Sequence, residues 1–335
     1  MAKHARSRRI VWIYTLLILT TVLFGVASLA VGAGDLHDAV LRPTLLALRA
    51  TRLVAAFLVG AALASGGVLV QGLFRNPLCS PSILGTTAGA SLGGQLTILA
   101  LHAVAAPVLA GVTPELVLPF GCLAGALMAL AVLLMVARVY SGPVVFLLVG
   151  FTLSSLFLAA GAFATSLAQD TWDLGRTVVA FTLGGLGGVG VRQVTLALPL
   201  IVVGVAAAWL WGRPLDLLLS GEEEAASLGV DVALVRRWGV IWAAVLTAAA
   251  VAIGGNVGFV GLVVPHALRP FVGSSHRRLL PAAVLGGGAF LVVCDLLARL
   301  LPGRSEVPLG VVTGLIGAPV FLMLVLKMRR ELAHG

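Results

Sequence analysis

Apolar runs of about twenty residues recur along the whole chain, separated by short segments that hold most of the charge. Each run can cross a ~30 Å hydrocarbon core as a helix rising ~1.5 Å per residue, and a helix satisfies its own backbone hydrogen bonds where water is absent. No stretch between the runs leaves room for a soluble domain, so residues 1–335 read as one all-α, polytopic membrane domain. The balance of residues agrees: 60% are hydrophobic, 10% are charged and the mean hydropathy is +1.10. A soluble protein could not cover itself with so little polar surface.

The pattern predicts about ten transmembrane helices, over 10–32, 50–74, 82–104, 115–138, 143–167, 191–211, 234–254, 259–270, 278–300 and 308–327. Basic residues from Lys3 to Arg9 followed by an apolar run from Ile10 to Ala30 resemble a signal peptide. The run exceeds the ~7–15 residues of such a segment, so it is read as a retained first helix. The net charge of +9 raises nucleic acid as a partner, but the cations sit singly or in small clusters at the ends of apolar runs. With both termini in the cytoplasm, fifteen of the 22 Lys and Arg fall on the cytoplasmic side, a positive-inside bias that accounts for the charge. The partner expected from composition is therefore membrane lipid and not nucleic acid. Arg42, Arg49, Arg52, Arg176, Arg192, Arg299 and Arg304 remain outside and call for another reason.

Two non-membrane segments stand out. Gln169 to Gly190, with Trp172, Asp173, Arg176 and a run of glycines, reads as a short external helix and turn. Residues 212–237 form the longest polar stretch, on the cytoplasmic side. There Ser220 and Glu223 have capping-box spacing, Gly229 suits a helix C-terminus and Asp231 can cap a second start, which predicts two short helices joined by a turn. Gly60 with Ala64, Gly85 with Gly89 and Gly93, and Gly310 with Gly314 are spaced for close helix contact. Glycines near Pro77, Pro81, Pro265 and Pro319 fit either ordinary packing or broken helices lining a pathway.

Several chemistries are missing. A P-loop needs a lysine beside a glycine-rich loop, and the only lysines are Lys3 and Lys327. No HExxH motif occurs, and Cys79, Cys122 and Cys294 lack metal or redox spacing, so no catalytic residue, metal or bound cofactor is expected. His266 reads as a hydrogen-bonded structural histidine. Asp295 is the one acidic residue placed for proton relay in a secondary transporter, but Arg299 lies four residues on, on the same helix face, and predicts a structural ion pair.

The stretch TRLVAAFLVGAALASGGVLVQGLFRNPLCSPSILGTTAGASLGG from Thr51 resembles the hallmark of the FecCD-type permeases of ABC importers. So do LLLSGEEEAASLGV ending at Val230, GFVGLVVPHALRPFVG from Gly258, HRRLLP from His276, DLLAR from Asp295 and VPLGVVTGLIGAPVFL from Val307. Long motifs in one order are far more specific than any one of them. The resemblance implies ten helices in a permease subunit of the bacterial cytoplasmic membrane, paired with a second permease subunit around a central pathway. It further implies two ATP-binding subunits that use ATP and magnesium, an extracytoplasmic substrate-binding protein, and iron-siderophore, haem or cobalamin-like cargo.

By the same resemblance, Arg49 and Arg52 before the second helix and Arg299 near the outer end of the ninth receive carboxylates of the binding protein. An arginine fork bonds a carboxylate in a bidentate way and stays charged; snorkelling at the interface is the other reading. Ser220, Gly221, Glu222, Glu223, Glu224, Ala225, Leu228 and Gly229 would meet the ATPase, or form a solvated loop. Asn76 and Leu78, with Ser141 and Gly142, match the loops that close the pathway inside, though such pairs are also turn signals. Asn256 and Phe181 depart from the family pattern, which favours proline and tryptophan there. The rival function is an ion- or proton-coupled secondary transporter that needs no ATPase.

Overall fold

The ten apolar segments are all helical in the computed structural model, which describes residues 2–32, 35, 37–103, 114–139, 143–301 and 306–333. In chain order the helices are α1 (Ala2–Ala30), α2 (Arg42–Leu73), α3 (Thr86–Ala103), α4 (Pro114–Val139), α5 (Pro143–Ala168), α6 (Trp172–Leu183), α7 (Val191–Leu210), α8 (Gly212–Leu218), α9 (Glu222–Ser227), α10 (Val232–Gly254), α11 (Val260–Val272), α12 (His276–Leu300) and α13 (Leu309–Ala333). Among the described residues, eight of these are long and apolar enough to cross a membrane; α3 and the 13-residue α11 fall outside that set. No strand occurs among the described residues.

Helix α2 is the axis of the bundle, with 78% of its apolar window buried against 6% for α1, which stands at the periphery. It packs on α12, α10, α11 and α7, while α3 packs on α4, α5 and α10. Lipid offers no hydrophobic gain for helix pairing, so close van der Waals contact has to hold these faces together. Small residues make it possible: a Cβ on Gly60 would fall inside the Gly287 carbonyl of α12, and one on Gly67 inside the Gly261 carbonyl of α11. Gly89 and Gly93 of α3 meet Gly125 and Gly121 of α4 in the same manner. Gly314 does not serve as expected, and Gly85 serves from outside α3, where a Cβ would meet Leu153 Cβ of α5 at 3.2 Å. Gly85 ends the one-turn 3₁₀ helix Pro81–Leu84 at φ 78°, and nothing among the described residues lies within reach of a Cβ on Gly314.

Helix α2 starts at Arg42, a full two turns before the expected residue 50. Asp38 Oδ1 accepts the Val40 amide at 2.9 Å and Pro43 occupies the first turn, so the start signal lies in this polar lead-in and not at the edge of the apolar run. Arg49 and Arg52 consequently sit on α2 and do not precede it. Of the four prolines that fit either packing or a broken helix, Pro77 and Pro81 lie in the break between α2 and α3, whereas Pro265 and Pro319 lie inside continuous helices.

At the outer end, backbone bonds tie three loops together: the Gly185 amide donates to the Gly254 carbonyl and the Leu309 amide to the Gly184 carbonyl, each at 2.9 Å. The Asn256 amide donates to the Phe181 carbonyl at 3.3 Å. Proline has no such donor, so the two departures from the family pattern touch one another.

Candidate functional sites at the two ends of the bundle

The outer site is built where the C-terminus of α1, the N-terminus of α2, the end of α12 and the start of α13 converge. Asp295, 1% exposed, is held by two arginines. Arg52 Nη2 lies 2.9 Å from Oδ1 and Arg299 Nη2 lies 3.0 Å from Oδ2. Arg52 also reaches outward, with Nη1 at 2.8 Å from Glu306, which is 44% exposed. The Asp295–Arg299 pair expected from spacing forms, and Arg52 with Glu306 extends it into a network. Arg49 donates to the carbonyls of Leu29 and Ala30 at 2.9 Å and of Gly32 at 3.0 Å. Arg299 donates to the carbonyls of Ser28 and Val31 at 3.1 and 2.8 Å and to the Ser28 hydroxyl. The last carbonyls of a helix have no partner within it, and here two guanidiniums from α2 and α12 cap those of α1. Arg49, Arg52, Arg299 and Glu306 line a cleft of about 250 Å³ together with Gly32, Leu186 and Val189. The sequence brought out the three arginines; Glu306 and the capping of α1 it did not.

The inner site is the segment from α8 to the start of α10. The capping box does not form: Gly221 is the N-cap of α9, no side chain caps it, and the Ser220 amide donates to the Leu217 carbonyl. Gly221 stands at φ 139°, ψ 157°, a region open essentially to glycine alone, with the Glu224 carboxylate folded against its Cα. Gly221→Ala is expected to cost about 1–3 kcal/mol locally, read as faster amide exchange over residues 219–230 with the membrane helices unchanged. Gly229, at φ 84°, ends α9, and Asp231 Oδ1 caps the next helix through the Leu234 amide at 2.9 Å. That next helix is the long α10 and not a second short one; the additional short helix, α8, comes first.

Ala225 pins α9 to the bundle, fully buried, while Glu223, Glu224 and Leu228 are exposed. Glu222 pairs with Arg236 at 2.6 Å and lies 3.9 Å from Arg75, exposed contacts of small energy. Arg75 opens the loop after α2. In that loop Asn76 Oδ1 accepts the Leu78 amide at 2.9 Å, an Asx turn. Ser141 and Gly142 lie outside the described residues. His266 is half-buried in α11 against the backbone of Pro77.

A third arrangement joins residues about sixty positions apart, with no local sequence signal. Asp216 of α8 accepts from the Ser275 hydroxyl at 2.8 Å, the His276 amide at 2.6 Å and His276 Nδ1 at 2.7 Å. Burial acts to raise the Asp216 carboxyl, but the bonds from His276 and Ser275 outweigh it and hold the group below the usual carboxylate range. A carboxyl lowered in the folded state keeps its contribution above its unfolded pKa and loses it as pH falls through the folded one. The joint is accordingly intact throughout neutral pH. Gln71 makes a similar unforeseen link, accepting from Arg269 at 2.8 Å and donating to the Gly261 and Leu262 carbonyls at 3.3 Å. Among the described residues, no cluster of three His, Cys, Asp or Glu converges as a metal site.

The sequence matches the model of the FecCD transport family over residues 10–327. It is 39% identical to the Fe(3+) dicitrate transport system permease protein FecD of Escherichia coli over 85% of this chain and 86% of that one. It is 37% identical to the vitamin B12 import system permease protein BtuC of Klebsiella pneumoniae, over 98% and 96%. Its fold superposes with a TM-score of 0.81 and 31% identity on a solved inward-facing structure assigned to a metal-chelate type ABC transporter, covering 95% of this chain and 99% of the other.

Proposed function

The chain belongs to the FecCD transport family and is a multi-pass permease subunit of a type II ABC importer; on that premise we propose that it imports an iron-siderophore, haem or cobalamin-like cargo. The observation that carries the proposal is the near full-length match to permeases that serve iron citrate and vitamin B12 systems. Those cargoes share a chemistry: a metal held inside a bulky organic shell, too large and polar to cross lipid. A pathway between two permease copies would accommodate such a molecule, and a loaded binding protein would deliver it at the outer end.

In this reading Arg49, Arg52 and Arg299 form the docking face, and Arg52 is the arginine placed to exchange carboxylates. Its outer partner is the half-exposed Glu306, whereas Arg49 and Arg299 are committed to the carbonyls of α1. Residues 220–229 would seat a partner ATPase, with Glu223, Glu224 and Leu228 offered to it and Ala225 fixing the helix behind them. Asn76 and Leu78 would close the inner end. A ligand shifts a conformational equilibrium only through its different affinity for the two states, so nucleotide on the ATPase and the loaded binding protein must each favour one access state.

Reversing Glu222, Glu223 and Glu224 to lysine is expected to abolish recovery of the ATP-binding subunit with tagged permease in mild detergent, while the permease itself purifies as wild type does. Undiminished recovery would exclude α9 as the contact. Cargo uptake into proteoliposomes in the absence of ATP and of any ATPase would instead favour the self-sufficient secondary transporter.

A further inference from the structure

We propose that Asp216 is the positioning residue through which movement of the α8–α9 segment enters α12, making α12 the strut between the two ends of the importer. The inference rests on the reading of α9 as the ATPase contact. Helix α12 needs a cap: its N-cap residue is Ser275, whose side chain makes no capping bond to its own helix. The cap comes instead from α8. One Asp216 carboxylate takes the Ser275 hydroxyl, the His276 amide and the His276 ring, so the first turn of α12 is bonded to α8 by three donors.

The joint is filled as well as bonded. His276 is 2% exposed, and its ring lies so close to Gly72 of α2 that a Cβ there would strike Nε2. Gly212, the first residue of α8, leaves room for the His276 Cβ on the other side. Next along α12, Arg277 stacks over Trp209 at the end of α7, 5.2 Å from the ring centroid. Three residues, Leu219 to Gly221, separate α8 from α9, and the two short helices pack together. A push on α9 therefore meets a close-packed, hydrogen-bonded contact and not a slack loop.

The far end of α12 is equally tied. Over its 25 residues the helix rises ~37 Å, and its last turns carry Asp295 and Arg299, the centre of the outer network. Between the two ends its small-residue seam with α2, at Gly287 and Gly60, leaves no space for bending toward that partner. A packed interface of this kind changes between discrete arrangements and does not deform gradually, so displacement at Asp216 is delivered at Asp295.

The test uses the full importer, wild type and Asp216→Asn, with its ATP-binding subunits and binding protein in proteoliposomes. Recovery of the ATP-binding subunit with the permease and cargo taken up per ATP hydrolysed are both measured. Asparagine keeps the shape and loses the charge; recovery should stay within about twofold of wild type, while uptake per ATP falls about tenfold, inside the ~5–150-fold span of ordinary coupling between sites. Asp216→Glu should restore part of it. Should Asp216→Asn fail to fold, Ser275→Ala removes one donor and should lower uptake per ATP in the same direction by a smaller factor. Wild-type uptake per ATP in both variants overturns the proposal. So does an equal fall in recovery and uptake, which would put Asp216 in the docking surface. Failure of the wild-type chain to recover any ATP-binding subunit would instead remove the proposed function on which the inference stands.

Discussion

Asp295→Ala is expected to destabilise the purified chain by about 3–5 kcal/mol, the usual cost of removing one partner from a buried ionic network. The carboxylate is 1% exposed and neutralises Arg52 and Arg299, whose side chains are 14% and 3% exposed. Without it two guanidiniums remain side by side in a setting too dry to screen them. The attached damage should spread, because Arg299 also holds the end of α1. Glu306→Ala provides the contrast. Its partner is the same Arg52, but the carboxylate is 44% exposed, and such contacts are worth about 0–1 kcal/mol. Chemical unfolding in detergent followed by far-ultraviolet circular dichroism compares the two. Equal small losses would mean that Asp295 carries little of the outer end; equal large ones would give Glu306 a structural role its exposure does not support.

Gly287→Val is expected to have the largest effect on assembly of the bundle. The first side-chain carbon would already overlap the Gly60 carbonyl and approach Ala64 Cβ at 2.6 Å, and backbone cannot turn aside as a flexible side chain can. Overpacking of a core costs about 1–3 kcal/mol and more where nothing can yield. Here α2 and α12 would have to move apart along the seam that centres the fold. Gly314→Ala is the control, since a Cβ there meets nothing among the described residues, and alanine favours helix over glycine by about 1 kcal/mol within a helix. The measurement is the fraction of protein eluting as a single species from size exclusion, with the melting temperature of that fraction. Gly287→Val should lose most of its monodisperse material, and Gly314→Ala should match or slightly exceed the parent. A Gly287→Val protein that elutes and melts as the parent does would show that the seam is not fixed at this distance.

Element identity was legible where a single segment decides it. The apolar runs mark the ten helical segments because burial in lipid acts on each run by itself, and Asp231 and Gly229 mark ends because capping involves residues three or four apart. Where a boundary lies outside an apolar run, hydropathy does not mark it, as at Arg42, whose start signal is the polar turn at Asp38. The Ser220 pattern matched a capping box, yet the chain turned at Gly221, whose backbone conformation put the helix start one residue later.

What the sequence determined by itself is the solvent, the sidedness of the charges and the family, since hydropathy, Lys and Arg placement and motif order all lie along the chain. Only the tertiary structure decided what the polar residues within that framework do. Arg52 and Asp295 stand 243 positions apart and Asp216 and His276 sixty, and no local period connects them. It was the meeting of α2 with α12, allowed by two glycines, that brought the first pair together; the fold of α8 beneath α12 brought the second. A buried charge must find its counterpart wherever packing places one, so the partner of such a residue is a property of the packed bundle and not of its neighbours in sequence.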